Sequence, residues 1–241
     1  MRKILLCLLV LFLTASCKDL PVSYSENKIH TITKYQTDSN GKILRKVFFK
    51  EFDWNGNLIR FIEYFPNGNF LVQEFSNHKD NNISIVNIKY FNKENILDSQ
   101  FVSINTLTPT GKILQSIVIN QNGDTSQISQ FVYDSLGNLI TQIDIAKDKR
   151  TEIMYQYVYN SAGNLVKIIK ANTFEPENKI IQEFSYDTQK QILNLKIYAS
   201  NENNLENITF IYNNSGLILK EIHRFTYEDR IEYYEYKYTF F

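Results

Sequence analysis

The sequence predicts an all-β fold, an antiparallel meander of repeated β-hairpins with a period of about 26 residues that forms a curved or spiral sheet. Three observations support this prediction. The 241 residues include 17 Phe and 16 Tyr but only 4 Pro, a composition that favours strands. Short apolar and aromatic runs alternate with turn residues along the chain, and one turn motif recurs. No segment keeps a helical period before a glycine or asparagine interrupts it.

The recurring motif is clearest at Tyr133, Asp134, Gly137 and Leu139. The aromatic residue ends one strand, and Asp or Asn opens a type I turn by bonding backbone two residues further on. Glycine then takes the positive-φ position, and a branched apolar residue starts the return strand. The other copies contain Tyr159, Gly163 and Leu165; Tyr212 and Gly216; Phe52, Asp53 and Gly56; and Tyr186, whose copy has Lys190 in place of glycine.

The spacing of this motif indicates a repeat architecture. The tyrosines Tyr133, Tyr159, Tyr186 and Tyr212 are 26, 27 and 26 residues apart, whereas the first half of the chain keeps the same elements without a regular period. Counting the runs between turns predicts about sixteen strands of roughly five to nine residues, and the short connections make neighbouring strands antiparallel.

The sequence determines the shape of the whole sheet less firmly than it determines the strands and turns. In the run 153–159 one face carries Ile and three Tyr, and the other carries Met, Gln and Val, so neither face is cleanly polar. Such a pattern is typical of a sheet that curls on itself or is partly covered on both sides. A spiral, an incomplete barrel and a long curved meander all fit, and the meander or spiral is favoured.

The first residues predict a targeting segment. Arg2 and Lys3 precede an apolar run at 4–13, which is too short to span a bilayer and is typical of a signal peptide. Small residues then lead directly to Cys17. This arrangement resembles the lipobox of bacterial lipoproteins, in which cleavage leaves the cysteine as the lipid-bearing first residue. An ordinary secretory signal that ends near a cysteine is the alternative.

The domain prediction follows from this resemblance: a signal peptide at 1–16, a lipidated tether at 17–28 and a β-hairpin repeat domain at 29–241. By the same resemblance, Lys18 rather than Asp after Cys17 implies the outer membrane, on its periplasmic or surface side. Lys18 and Asp19 also resemble the surface-export tags of Bacteroidota lipoproteins.

The turn motif itself resembles the YD repeat of RHS-type bacterial proteins, whose hairpins coil into a shell. Asp134, Gly137 and Leu139 match the pattern after Tyr133, and Tyr159, Gly163 and Leu165 match it with Asn160 for Asp. Phe52, Asp53 and Gly56 match with Phe for Tyr. The resemblance implies a hairpin architecture. It does not imply a toxin cage, because the large shell proteins need many more repeats.

Composition narrows the possible functions. Without Arg2 and Lys3 the chain has 24 basic against 26 acidic residues, a net charge of about −2 that gives no reason to expect a nucleic-acid partner. The mature chain keeps only Cys17, so no internal disulfide is possible. His30, His78 and His223 have no metal-ligand spacing, and no catalytic motif occurs. No catalytic residue, metal site or cofactor is therefore predicted.

The last run supplies a candidate binding surface. Tyr234, Tyr236, Tyr238 and Phe240 fall on one face of a strand, where exposed rings can stack on sugars or on partner side chains. Packing of the same rings on the preceding strand is the simpler alternative, and as the last strand this run is expected to be a sheet edge. A terminal Phe also resembles outer-membrane barrel strands, but polar residues on both strand faces argue against a barrel in lipid.

Three functions remain. The favoured one is a non-enzymatic envelope lipoprotein, attached to the membrane through Cys17, that serves as a binding scaffold for protein or glycan. The second is a periplasm-facing carrier or assembly factor that holds an apolar ligand. The third is a glycoside hydrolase with two facing carboxylates.

Overall fold

The computed structural model describes residues 28–78, 82–147, 151–189, 191–199 and 204–241. Over these residues the chain forms sixteen strands. They are β1 Ile29–Thr37, β2 Ile43–Phe52, β3 Leu58–Tyr64, β4 Phe70–His78, β5 Ile83–Phe91, β6 Leu97–Leu107, β7 Ile113–Asn120, β8 Thr125–Tyr133, β9 Leu139–Ala146, β10 Glu152–Tyr159, β11 Leu165–Asn172, β12 Glu175–Tyr186, β13 Ile192–Ala199, β14 Asn204–Tyr212, β15 Ile218–Phe225 and β16 Arg230–Phe240. Within the described ranges no helix is long and apolar enough to cross a membrane.

The sheet closes into a barrel. Every strand pairs antiparallel with its neighbours in sequence, and β1 pairs with β16 over eight register pairs, including Lys34 with Tyr236. The prediction of an all-β antiparallel hairpin fold is confirmed, but the predicted curved or spiral open sheet is wrong. The expectation that β16 is an edge is wrong for the same reason, since closure pairs the backbone groups that an edge strand leaves free.

The two ends of the barrel carry different connections. The turns that follow even-numbered strands lie at the end where Lys28 and Phe241 meet, joined by a 3.1 Å bond from Phe241 N to Lys28 O. We call this the proximal end. The turns that follow odd-numbered strands lie at the opposite, distal end. All copies of the YD-like turn motif are therefore at the proximal end.

The turn of Asp134 illustrates why the motif residues form hairpins. The Asp134 Oδ1 atom accepts bonds from Leu136 N at 2.9 Å and Asn138 N at 2.7 Å. Gly137 N donates to Asp134 O at 2.9 Å, and Gly137 has φ of 83°. A side chain at this positive φ is strained, so glycine is favoured there.

The period of the proximal turns extends into the first half of the chain. Positive-φ residues stand at Gly56, Asn82, Gly111, Gly137 and Gly163, which gives spacings of 26, 29, 26 and 26 residues. Asn82 has φ of 51° and occupies the place of a glycine, because Asn tolerates the left-handed region better than most residues. The period is thus present where the sequence pattern conceals it.

Five tyrosines link successive strands at the proximal end. Each donates its hydroxyl hydrogen bond to the carbonyl of the first residue of the preceding odd-numbered strand: Tyr133 to Ile113, Tyr159 to Leu139, Tyr186 to Leu165, Tyr212 to Ile192 and Tyr238 to Ile218. We call this set the tyrosine ladder. Tyr238 lies 26 residues after Tyr212, so the repeat spacing could have identified it as a ladder member.

One face of the sheet is well buried and forms the barrel interior. The register places Phe61 opposite Gln73 and Gln73 opposite Ile88, and all three are buried. The other face carries cross-strand ion pairs, which are Arg60–Glu51, Lys89–Glu74, Lys167–Glu183 and Lys220–Glu235. Following the register around the barrel between its bulges therefore assigns the described strand side chains to the interior or to the outer surface.

The tyrosine ladder predicts a specific stability effect. In Tyr212→Phe the Ile192 carbonyl loses its hydroxyl donor while the ring stays in place, so the free energy of unfolding should fall by about 1 kcal/mol. Urea denaturation measures the change. Tyr227→Phe is the matched control, since that ring is exposed in a distal turn. Equal losses in the two variants would contradict a structural role of the ladder.

Candidate functional site in the barrel interior

The interior wall is apolar on the side formed by β3 to β6. Phe61, Leu71, Val86 and Ile88 are buried together and form what we call the apolar sector. Partly buried hydrophobic side chains that include Phe48, Phe75, Tyr90 and Phe101 pack against it. Burial of this area is the main hydrophobic contribution to the stability of this side of the barrel.

Two polar side chains are set into the apolar sector. Gln73 is 0% exposed, and neither its Oε1 nor its Nε2 atom has a protein partner. The buried Oε2 atom of Glu63, on the neighbouring strand, also has none. Burial raises the pKa of Glu63 to about 7, because the carboxylate loses hydration.

A belt of polar side chains crosses the interior from β5 to β10. Its hydrogen bonds join Asn105 to Ser84, Ser103 to Asn105 and Ser116, Gln127 to Ser129, Gln142 to Asp144 and Tyr157 to Gln142. Burial raises the pKa of Asp144 and lowers that of Lys170, since each loses hydration of its charged form. The belt thus satisfies most of its polar groups within the wall.

On the side formed by β10 to β14, Ile168 and Ile208 are buried, but several other inward-facing side chains keep accessible surface. They are Tyr155, Tyr157, Phe184, Leu195, Ile197 and Phe210, all only partly buried. We call them the aromatic wall. Since these side chains point inward, their accessible surface faces the space inside the barrel, which is therefore not filled on this side.

A charged cluster lies where the barrel closes. Lys34 Nζ on β1 reaches across β16 to Glu221 Oε2 on β15 at 2.5 Å. His223 places Nε2 at 2.8 Å from Glu221 and Nδ1 at 2.6 Å from Glu206, and the hydroxyl of Tyr236 donates to Glu221. We call these five residues the seam cluster.

The charges of the seam cluster shift the pKa values of its members. Burial alone would raise the pKa of Glu221, but attraction to Lys34 and hydrogen bonds from His223, Lys34 and Tyr236 lower it to about 2. Burial alone would lower the pKa of His223, but its bonds to Glu206 and Glu221 raise it. The cluster is therefore held in its ionised form.

This geometry determines what the cluster can do chemically. Both ring nitrogens of His223 face carboxylates, so neither is free to exchange a proton with a substrate. Lys34 also lies 4.4 Å from the ring centroid of Tyr234, a cation–π distance. The arrangement suits fixation of β15, β16 and β1 relative to one another.

The predicted aromatic surface lies mostly inside the barrel. Tyr234, Tyr236 and Tyr238 point inward, Tyr234 is buried, and the rings of Tyr236 and Tyr238 stack at 6.4 Å. Phe240 is exposed at the proximal end. Closure by β1 is the reason, since it turns the shared face of these rings towards the interior.

The remaining predicted positions are distributed as follows. Cys17 and the predicted segments at 1–16 and 18–27 lie outside the described residues. The turn residues Phe52, Asp53, Gly56, Tyr133, Asp134, Gly137, Leu139, Tyr159, Gly163, Leu165, Tyr212 and Gly216 all lie at the proximal end. Of the histidines, His30 belongs to β1 and stacks on Phe241 at 4.5 Å, and His223 belongs to the seam cluster.

Sequence reasoning missed the seam cluster. Lys34 and Glu221 are 187 positions apart, and no local pattern indicates that they meet. The one available signal was the spacing of Glu221 and His223, which places both on the same face of a strand. Among the residues that the structure describes, no group of three or more His, Cys, Asp or Glu side chains could hold a metal ion.

Comparisons with known proteins bear on the fold. No protein-family model matches the sequence, and no curated protein matches it either. A porin-like protein from Bacteroides uniformis is similar in structure, with 11% identity and a TM-score of 0.61 over 88% of this chain and 98% of that one. A porin-like protein from Bacteroides vulgatus has 14% identity and a TM-score of 0.49 over 89% of this chain and 99% of that one.

A third structure, of the Photorhabdus luminescens Tc holotoxin pore, has 13% identity and a TM-score of 0.33 over 86% of this chain and 13% of that one. Of these three structures, only the Bacteroides uniformis protein is similar enough to support an argument, and at its level of identity the argument concerns the fold alone.

The seam cluster predicts acid sensitivity. Because the folded-state pKa of Glu221 lies below its ordinary value of 4.5, its contribution to stability is complete above that pH and is lost as the pH falls towards 2. Glu221→Gln should lower the free energy of unfolding at pH 7 by about 3 kcal/mol and remove this part of the acid transition.

Urea denaturation at several pH values tests it, with Glu235→Gln as the control on the outer surface, where the ion pair to Lys220 contributes less than about 1 kcal/mol. Similar losses of unfolding free energy in both variants would mean that the seam cluster contributes no more to stability than an ion pair on the outer surface.

The raised pKa of Glu63 predicts a pH dependence of stability opposite to that of Glu221. The folded-state pKa of Glu63, about 7, exceeds the ordinary 4.5, so the folded protein loses stability as the pH rises through this interval. Glu63→Gln should therefore stabilise the protein at pH 8 by about 2 kcal/mol and have little effect at pH 5. Glu74→Gln, on the outer surface of β4, is the control. Parallel pH profiles of wild type and Glu63→Gln would refute this account.

Proposed function

We propose that the chain is a cell-envelope lipoprotein, anchored to the outer membrane through lipid on Cys17, whose barrel holds an apolar ligand in its interior. The observation that carries this proposal is the aromatic wall, an inward-facing surface of aromatic and aliphatic side chains that keeps accessible area inside a closed sheet. It favours the carrier over the binding scaffold that the sequence alone favours.

The outer surface supports a barrel that stands in water. Ion pairs such as Lys167–Glu183 at 2.7 Å and Lys220–Glu235 at 2.9 Å join register partners on the outward face. A basic side chain on the lipid-facing side of a barrel costs about 2–4 kcal/mol at the bilayer midplane. The outer surface therefore suits an anchored domain beside the membrane better than a barrel that spans it.

The interior supports the proposed ligand class. Barrels of about sixteen strands are wide enough to leave interior space, and ligand sites are mostly apolar walls with a few polar groups that fix orientation. Here Phe184, Leu195 and Phe210 supply apolar surface. The polar belt at Asp144 and the seam cluster at His223 border it on either side. A ligand with an apolar body and a small polar group matches this distribution.

A second candidate function is the binding scaffold for protein or glycan. Phe174 and Tyr227 support it, because both rings are strongly exposed in distal turns where they do not contribute to the interior. Exposed rings of this kind stack on sugars or fill pockets of a partner protein. This function uses the distal end and leaves the aromatic wall unused, so variants of the two surfaces distinguish the two candidates.

Binding of cis-parinaric acid, a fluorescent apolar probe, tests the carrier proposal. Leu195→Gln places a polar group on the aromatic wall and should weaken binding about tenfold, which corresponds to about 1.4 kcal/mol. Ile181→Gln, on the outward face of β12, is the matched control and should bind as the wild type does. Failure of the wild type to bind the probe, or equal weakening in both variants, would count against a ligand site at the aromatic wall.

A further inference from the structure

The two ends of the barrel differ in charge. In the described distal turns, charged side chains are frequent, among them Lys93, Glu94, Asp124, Glu228 and Asp229. The described proximal turns carry few, and their aspartates are used within the turn. Asp134, for example, accepts bonds from Leu136 N, Asn138 N and Asn138 Nδ2. The proximal end therefore presents a less charged surface to its surroundings.

Large apolar side chains are exposed on this less charged end. Trp54 in the β2–β3 turn is 60% exposed, and Leu136 at the tip of the β8–β9 turn is 85% exposed. Phe240 and Phe241 are exposed where β16 ends, and the rings of Trp54 and Phe241 meet edge-to-face at 4.9 Å. We call these four residues the proximal apolar surface.

A cation accompanies the aromatic part of this surface. Lys28 Nζ donates to Trp54 O at 2.8 Å and lies 5.0 Å from the centroid of the Trp54 ring. Aromatic rings with an adjacent lysine are the residues that settle at the headgroup level of a bilayer, where one part of the group is apolar and the other hydrated.

The position of the preceding chain indicates what lies opposite this surface. Lys28 is at the proximal end, and the sequence places only the ten residues from Lys18 to Asn27 between it and Cys17. Even fully extended, ten residues span at most about 36 Å. A lipid on Cys17 therefore keeps the proximal end close to the bilayer.

We infer that the proximal apolar surface docks directly onto the bilayer that carries the lipid of Cys17, with Trp54, Phe240 and Phe241 at headgroup level. This inference rests on the anchoring in the proposed function. Docking in this manner sets the barrel axis across the membrane plane, with the charged distal end facing away.

Docking also deepens the proposed carrier function. At the proximal opening the second residues of the odd-numbered strands point inward and form an apolar rim that includes Ile59, Leu114, Leu193 and Leu219, all exposed. A docked barrel presents this rim to the bilayer. An apolar ligand can then pass between the bilayer and the aromatic wall without crossing water.

Trp54 is the only tryptophan of the chain, so its fluorescence reports directly on this surface. The full mature chain with Cys17→Ser, which bears no lipid, is mixed with vesicles of phosphatidylethanolamine and phosphatidylglycerol. The emission of Trp54 should shift to shorter wavelength and be quenched by brominated lipids. Unchanged emission at saturating lipid would overturn the inference.

Matched variants locate the contact. In the same background Leu136→Ser and Phe240→Ser should each weaken vesicle binding about fivefold, by loss of roughly 1 kcal/mol of buried apolar surface. Phe174→Ser, which removes a ring 61% exposed at the distal end, should leave binding unchanged. Equal weakening by Phe174→Ser would mean that the protein adheres without orientation, which contradicts docking through the proximal end.

A separate measurement tests the anchor. Labelling of cells with an alkyne-tagged fatty acid, followed by capture of the wild type and of Cys17→Ala, shows whether Cys17 carries lipid. If the wild type takes up no label, or Cys17→Ala takes up as much, the lipid anchor is wrong, whereas the vesicle experiment decides the docking surface by itself. The two failures are therefore distinguishable.

Discussion

The pairing of β1 with β16 is the interaction on which the rest of the structure depends. Without it both strands would be edges with unpaired backbone groups, and the inward face of the sheet would be open to water. Closure gives each strand two partners and turns that face into an enclosed interior. The ion pair between Lys34 and Glu221 extends across this junction, so side-chain electrostatics reinforce the backbone hydrogen bonds at the point of closure.

Local features of the fold were predictable because they are encoded locally. Asp134 and Gly137 lie within one turn, and their chemistry is enough to predict a hairpin. The place of Asn82 was harder, because Asn is only one of several residues that adopt positive φ and its neighbours do not repeat the motif. Closure was not predictable from such signals, since an open meander and a barrel use the same turns and differ only in whether the first and last strands meet.

The arrangement of side chains in the barrel interior was harder to predict from the sequence than the turns or the closure. The alternation of residues 153–159 revealed two faces but not which of them points inward, because both contain apolar side chains. The seam cluster needs Lys34 and Glu221 to be neighbours across a third strand, which follows from the register and not from any motif. The isolation of Gln73 within the apolar sector likewise depends on how four strands pack together.

The tyrosine ladder has a consequence for how such a barrel can grow by duplication of one repeat in its gene. Each hairpin contributes the same hydroxyl-to-carbonyl link to the one before it. An additional copy of the repeat could therefore form the same hydrogen bonds with its neighbours in the barrel. Nothing in the ladder itself limits the number of units. The circle closes where β1 pairs with β16, and there the link is of another kind, the buried ion pair from Lys34 on β1 across β16 to Glu221 on β15. The wall is thus built from a repeated contact, whereas its closure uses a contact that occurs once among the described strands.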